Sequence, residues 1–399
     1  MVESPGVDNQ VPFEAAIVVP AGFDDSRRFA GLSLLLRHVL SLQEAGARRI
    51  HLVGEATAPL DDPRVTVPVE AGTPGGERTV VVAANVTTHR QMPARLTFLQ
   101  VPPDGVRRLG TDAHIWIAGS DRAAEVAAAI GAGEQPTGYE DEPLLDNEFV
   151  LPLDDDAGRR RAFKEHLNSL VKPTSGFFER LFMRRMSKQI TRLLTSTPIT
   201  PNHVSVITLG LALWSAYLVS LPDRSMLVAG GLLHIFMRVV DCVDGELARL
   251  RYQGSRFGQW LDSVGDGVGM AAYVAGIAIN AGRTQPEWFT IGMYGVAAWC
   301  IVQGQQYYVA IVQGEGDGCF HNIDWGHRSE NKTPIEALVA RVEMMFRIDA
   351  ITVFYGLLAV FGLLQPLLVL HLVSATIAIF YFGNQVRKVR AAVRAGGAP

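Results

Sequence analysis

From residue 204 onward the chain is written in long apolar runs, and this change of solvent constrains its fold more than any other feature of its 399 residues. Before about residue 200 the apolar runs are short and broken by charge, Pro and Gly. After it come about six stretches near the ~20 residues that a ~30 Å hydrocarbon layer requires. They are 204–221, 226–247, 257–281, 288–312, 348–364 and 367–382. A large soluble helical core would also be apolar, but so many long runs in succession favour spans.

The basic residues orient them. Arg180, Arg184, Arg185, Lys188 and Arg192 precede the first run, and Arg249, Arg251 and Arg256 lie between the second and third. Arg328, Lys332, Arg341 and Arg347 lie between the fourth and fifth, and Arg387, Lys388 and Arg390 follow the last, whereas the alternate loops carry only Arg224 and Arg283. The positive-inside rule therefore places both termini in the cytoplasm and the chain in the cell (inner) membrane as a multi-pass protein. Net charge is −4, which gives no global pull toward nucleic acid. Cys242, Cys300 and Cys319 are odd in number and widely spaced, so they read as packing thiols in a reducing compartment. The first ten residues, MVESPGVDNQ, have neither a basic n-region nor an apolar h-region, which predicts a first domain that is not exported.

Residues 1–155 read as a separate α/β domain with a largely parallel sheet. Strands are predicted at 15–20, 49–53, 65–69, 79–83, 96–101 and 115–118. A helix over 32–45 carries Leu35, Leu36, Val39 and Leu40 at helical spacing and stops at Gly46. Residues 156–198 form a linker. Within it, 177–194 (FFERLFMRRMSKQITRLL) mixes Phe178, Leu181, Phe182, Ile190 and Leu193 with basic residues, the composition of a helix lying against anionic headgroups. An ordinary linker helix docked on protein is the plainer alternative. The membrane domain occupies 199–390, with a tail at 391–399.

The chemistry is concentrated in 241–266, DCVDGELARLRYQGSRFGQWLDSVGD. Asp241 and Asp244 end the second run, and Asp262 and Asp266 begin the third. Spacings of three and four put each pair on one helix face. Each charge at membrane depth costs roughly 2.5–3.5 kcal/mol, and four together also repel. A pair of Mg²⁺ or Mn²⁺ ions removes the difficulty, because carboxylates are the ligands these cations prefer. Gly245, Gly254 and Gly258 thin the helix surfaces where a nucleotide backbone would approach, Ala248 is small on the same face, and the Arg249 fork suits a phosphate.

These residues resemble the signature of the CDP-alcohol phosphotransferase (CDP-alcohol phosphatidyltransferase) family, D-x2-D-G-x2-A-R-x8-G-x3-D-x3-D. They match it at Asp241, Asp244, Gly245, Ala248, Arg249, Gly258, Asp262 and Asp266. The resemblance covers roughly 172–390. It implies an all-α domain of six transmembrane helices, commonly a homodimer, that moves a substituted phosphate from a CDP-alcohol donor to an alcohol acceptor and releases CMP. By the same resemblance Asp241, Asp244 and Asp262 bind metal, and Asp266 joins them and acts as general base. Gly245, Ala248, Arg249 and Gly258 line the CDP pocket. Thr197-Pro-Ile-Thr-Pro-Asn202 is similar to the family's approach to its first helix, where Asn202 faces the nucleotide; a plain helix start at Pro201 explains it equally well. Lys172-Pro-Thr-Ser-Gly176 is similar to a stretch of the inositol-phosphate branch, but Ser175 stands where that branch has an acid.

The layout also resembles a bifunctional branch whose N-terminal, nucleotidyltransferase-like α/β domain makes the CDP-alcohol (inositol-phosphate cytidylyltransferase with di-myo-inositol-phosphate phosphate synthase). Its active pattern needs glycines to cradle a triphosphate, a Lys after Pro and an acid for Mg²⁺. Here Asp24 and Asp25 replace the glycines, no Lys follows Pro20, and Asn85 stands near the place of the acid. The expectation is a degenerate domain with a structural or regulatory role, Arg27 and Arg28 being its remaining phosphate candidates. Other readings were a transporter lined by acids, substrate contacts from His234 or Arg238 rather than pairing with a neighbouring acid, and a metal at Cys319, His321 and His327.

Overall fold

The computed structural model describes residues 13–394 except 27, 55–59, 91, 97, 111–114, 147, 172–175 and 314–347. The expectations for Arg27, for Lys172 to Ser175, for Cys319, His321 and His327, and for the basic residues between 314 and 347 fall outside these. The chain forms two compact units, one built on Met1–Leu170 and one beginning at Val171.

The first unit is organised by β1 (Phe13–Val19), whose apolar residues are buried on both faces. It lies between β2 (Ala47–Gly54) and β4 (Arg78–Ala83), parallel to both. Side chains alternate across a strand. Ala15 and Ile17 accordingly pack with Leu35, Val39 and Leu42 of α1 (Leu34–Glu44) on one face. Ala16 and Val18 pack with Val126 and Ala127 of α3 (Ala123–Gly131) on the other. Ser33 caps α1 through Leu36 N, and Gly46, at φ 93°, lets the chain turn into β2.

The order of the main sheet is β3-β2-β1-β4-β7-β6-β8, where β3 is Val69–Ala71, β6 Val106–Leu109, β7 Ile115–Gly119 and β8 Glu140–Glu142. Its first half is parallel, as predicted, but β7 runs antiparallel to both β4 and β6. Two strand predictions are corrected. Only Val69 of 65–69 enters a strand, because the turn around Asp62 and the Pro68 position occupy the rest. Among the described residues of 96–101 there is no strand. Pro93 starts a short helix, α2 (Met92–Leu96), and the chain then runs as loop to Pro102 and Pro103, so its apolar Leu99 and Val101 pack on the core without pairing. A second pair, β5 (Val86–Thr88) with β9 (Val150–Pro152), precedes α4 (Asp156–Ser169).

The second unit is helical. A π-helical turn at Glu179–Met183 leads into α5 (Arg184–Leu194), then α6 (Pro201–Ser220), α7 (Arg224–Arg251), α8 (Arg256–Gly282), α9 (Pro286–Gln313), α10 (Ile348–Phe361) and α11 (Leu364–Arg394). Helices stand at all six predicted positions. Four of them, α6, α7, α8 and α11, are long and apolar enough to cross a membrane. Gln303, Gln305 and Gln306 dilute α9, and the 14 residues of α10 reach only about 21 Å. The bundle closes on α8, which packs against α6 and α9. A Cβ at Gly276 would sit 2.3 Å from the Ala216 carbonyl oxygen, so α8 approaches α6 as closely as it does only with glycine there.

Candidate active site

Each helix that carries the aspartates is started and aimed locally. Thr200 caps α6 through His203 N, with Pro201 at its first position, which sets Asn202 and Ser205 in the first two turns. Ser255 caps α8 through Gly258 N at 3.0 Å, which sets Asp262 and Asp266 one turn apart beyond it. Asp241 and Asp244 come from α7, which brings the four acids to one place from two helices.

Asp241, Asp244 and Asp262 each offer a carboxylate oxygen within 4.8 Å of the others. Asp241 and Asp244 are 8% and 9% exposed, while Asp262 and Asp266 are half-buried. Asp244 is fixed from two sides. Ser205 Oγ donates to its Oδ2 at 2.6 Å, and Gly245 N donates to its Oδ1. Asp266 is held differently. Arg238 Nη1 donates to both of its oxygens at 2.9 Å and reaches Asp241 Oδ2 at 2.8 Å. The three-acid cluster and the fourth acid are thus joined through one guanidinium.

An all-oxygen, carboxylate-rich donor set of this kind suits Mg²⁺ or Mn²⁺, and a single Arg among four acids leaves most of their charge uncompensated. The residues therefore fit a divalent cation. Asp241, Asp244 and Asp262 are the ones gathered to hold it. A pocket opens on Asp241 and Asp262, lined also by Ser205, Thr208 and Ala212 of α6 and Asp266 of α8; Asp244 stands beside it, held to Ser205. Gly265 and Gly269 also line it.

The other predicted positions are not among the residues that line this pocket. A Cβ on Gly258 would lie 2.7 Å from Asn202 Oδ1, so these two predicted nucleotide residues are neighbours. A Cβ on Gly245 would lie 3.2 Å from Arg249 Nη1, so the guanidinium folds back along the helix surface that Gly245 leaves bare. Ala248 is half-buried one turn beyond Asp244. Arg238 pairs with neighbouring acids, and His234 stacks on Tyr273 with ring centroids 3.7 Å apart and planes 10° apart. Sequence reasoning did not find Ser205 or Thr208. Their spacing of three from Asn202 was the available signal, since it puts all of them on one face of α6.

In the first unit, the acids that replace the expected glycines make local hydrogen bonds, one at a helix start and one in a tight turn. Asp25 Oδ1 accepts from Leu35 N at 3.1 Å at the start of α1, and Asp24 Oδ1 accepts from Ser26 N at 3.0 Å. Asn85 Nδ2 donates to Asp154 Oδ1 at 2.8 Å. The interfacial-helix expectation needs one correction, since Arg184 is not on the exposed face: its side chain turns inward to Glu179 and Glu246.

Residues 198–316 match the CDP-alcohol phosphatidyltransferase family. Among curated proteins, the chain is 33% identical over 137 residues to the "Bifunctional IPC transferase and DIPP synthase" of Thermococcus kodakarensis, covering 34% of this chain and 30% of that protein. It is 30% identical over 141 residues to the protein of the same description from Aquifex aeolicus, covering 35% and 31%. It is 27% identical over 153 residues to that from Archaeoglobus fulgidus, covering 38% and 29%. The aligned stretches thus span less than a third of each of these relatives' length.

Proposed function

We propose, from the premise that residues 198–316 form a CDP-alcohol phosphatidyltransferase domain, that this chain is an integral membrane phosphotransferase. It moves a substituted phosphate from a CDP-alcohol, either CDP-diacylglycerol or a CDP-polyol, to an acceptor alcohol and releases CMP. The observation that carries the reading is the meeting of Asp241, Asp244 and Asp262 in one cluster, beside a pocket that Asp241, Asp262 and Asp266 line.

Asp241, Asp244 and Asp262 hold the divalent cations, which when bound neutralise the donor's pyrophosphate. Gly245, Ala248, Arg249 and Gly258, with Asn202, form the wall against which the cytidine diphosphate lies, Arg249 offering a planar pair of donors to phosphate oxygens. The acceptor hydroxyl oxygen forms a bond to the β-phosphorus as the bridging P–O bond to CMP breaks, and its proton passes to Asp266. Arg238 leaves each Asp266 oxygen a further lone pair, so the carboxylate is aimed without being closed to that proton.

Six spans with both termini in the cytoplasm place this site at the cytoplasmic lip of the bilayer, and α5 lies in the interface there. Its outward residues Leu193 (72% exposed), Met186, Arg185 and Arg192 mix apolar and basic character, which suits the headgroup region. Homodimer formation is part of the same reading.

A second reading is favoured by the relatives' printed description and by the α/β unit ahead of the membrane domain. In it the chain is bifunctional, the first unit making the CDP-alcohol that the second consumes, with an inositol phosphate as substrate. The use of Asp24, Asp25 and Asn85 in local hydrogen bonds favours instead a first unit with a binding or regulatory role. Full-length protein in nanodiscs decides between them. Supplied with CDP-diacylglycerol or a CDP-polyol and a panel of alcohols, it releases CMP on the main reading. Supplied with CTP and alcohol phosphates, it releases pyrophosphate only on the second.

A further inference from the structure

Glu246 stands two residues beyond Asp244 on α7 and takes no part in the chemistry above. Its side chain is 0% exposed, and its carboxylate is fully engaged. Oε1 accepts from Arg184 Nη1 at 2.9 Å and from Ser187 Oγ at 2.7 Å, and Oε2 accepts from Thr191 Oγ1 at 2.5 Å. Arg184 also pairs with Glu179, whose second oxygen accepts from Gly176 N at 3.1 Å. Arg184, Ser187 and Thr191 recur at intervals of three and four, so they make one polar stripe along α5. That stripe faces inward, and the exposed side of α5 carries Leu193 and Met186.

At about 100° per residue, Glu246 projects from α7 on the side roughly opposite Asp244 and well round from Asp241. Apolar packing alone holds the rotation of such a helix loosely, because aliphatic side chains of similar volume interchange at little cost. Directional hydrogen bonds to an ionised group do not. The buried carboxylate has no other partner among the described residues, and it sits within the aspartate segment itself.

We propose that Glu246 is a positioning residue. Gripped by α5, it locks the axial rotation of α7 so that Asp241 and Asp244 point into the cation site, and it thereby ties the interfacial helix to the chemistry. This rests on the reading of the aspartates as metal ligands. A carboxylate that only stabilised the bundle would affect the melting temperature and leave cation affinity in the folded protein alone.

The test uses full-length protein in nanodiscs and reads Mn²⁺ binding by electron paramagnetic resonance without substrate, beside the thermal midpoint in chelator. Glu246→Gln keeps the shape but loses the charge that Arg184 requires. It weakens Mn²⁺ binding roughly tenfold, the low end of what disturbing the support of metal ligands costs, although Glu246 touches none of them itself. Thr191→Val, which deletes one hydroxyl at constant volume, shifts affinity the same way by less. Unchanged Mn²⁺ affinity in folded Glu246→Gln and Thr191→Val, whatever their midpoints, overturns the proposal. Should Glu246→Gln not fold, Thr191→Val decides alone on the same criterion. Wild-type protein that binds no Mn²⁺ overturns the metal reading itself, a result distinct from wild-type binding matched by both variants.

Discussion

With one guanidinium nitrogen donating to Asp266 and reaching Asp241, Arg238 is the cation that keeps two of four crowded acids compatible before any metal arrives. Removing one partner of a fully buried ion pair costs about 3–5 kcal/mol, and of these part-buried pairs less. Arg238→Gln therefore lowers the thermal midpoint in chelator, and added Mg²⁺ restores part of the loss, because a ligand that binds only the folded state stabilises it in proportion to its occupancy. Thermal melts across a Mg²⁺ series check this; a deficit indifferent to Mg²⁺ speaks against the assignment. Asp266→Asn abolishes transfer, by at least the 10²-fold that a general base contributes, yet spares cytidine nucleotide binding more than Asp241→Asn does. Rates of CMP release beside CDP affinity separate the two roles, and equal loss of affinity in both variants contradicts them. At this scale the sequence was readable where the partners are close along the chain. Asp241, Asp244, Gly245, Ala248, Arg249, Gly258, Asp262 and Asp266 stand at fixed offsets that no bland reading explains. Ser205 and Glu246 were not readable, because each takes its meaning from a side chain about 40 to 60 residues away on another helix.

Among the elements, α5 and the α6–α8 contact lend themselves to measurement. Arg185 and Arg192 are on the exposed side of α5, and each basic residue at an anionic surface contributes about 1 kcal/mol. Replacing both with Gln lowers the stimulation of activity by anionic lipid and leaves the rate in neutral lipid nearly unchanged. Assays in nanodiscs of graded phosphatidylglycerol content check this, and an unaltered lipid dependence counts against the interfacial placement. Gly276→Val puts a side chain where the Ala216 carbonyl already lies, an overpacking expected to cost 1–3 kcal/mol and to show as a lower midpoint. The pattern of apolar runs located α6 to α11, since a lipid-length stretch has few alternatives. It failed for Arg184, because composition cannot say which basic residue of an amphipathic helix faces inward. The short strands were harder. The segment 96–101 has strand composition, but Pro93 ahead of it and the Pro102-Pro103 pair behind it decide its backbone.

Over the whole molecule, the two units answer to different solvents, and this gives them different responses to pH. In the first unit burial pushes His38 down to about 4, with its Nε2 2.9 Å from the Val86 carbonyl. Burial also holds His166, packed edge-on against Phe29 and Phe149, well below the ordinary histidine range. A histidine with a depressed folded-state pKa binds its proton more readily when unfolded, so its neutral burial contributes stability that is full above about 6.5 and is lost as pH falls toward 4. Hydrogen exchange in the full-length protein should therefore quicken in β1 and β5 across that interval. Protection unchanged down to pH 4 contradicts the buried neutral state. The parallel half of the first unit's sheet was legible from its short apolar strands, whereas the antiparallel β7 was not, because a buried strand of Ile, Trp and Ala reads the same in either direction.

On the proposed reading, divalent cations among the aspartates are what grip the donor's cytidine diphosphate. Calorimetric titration of CDP into the full-length protein in nanodiscs, with Mg²⁺ and with chelator, measures this directly. Binding that requires the cation in wild type and is absent in Asp244→Ala is the result predicted. Equal CDP affinity with and without divalent cation contradicts it.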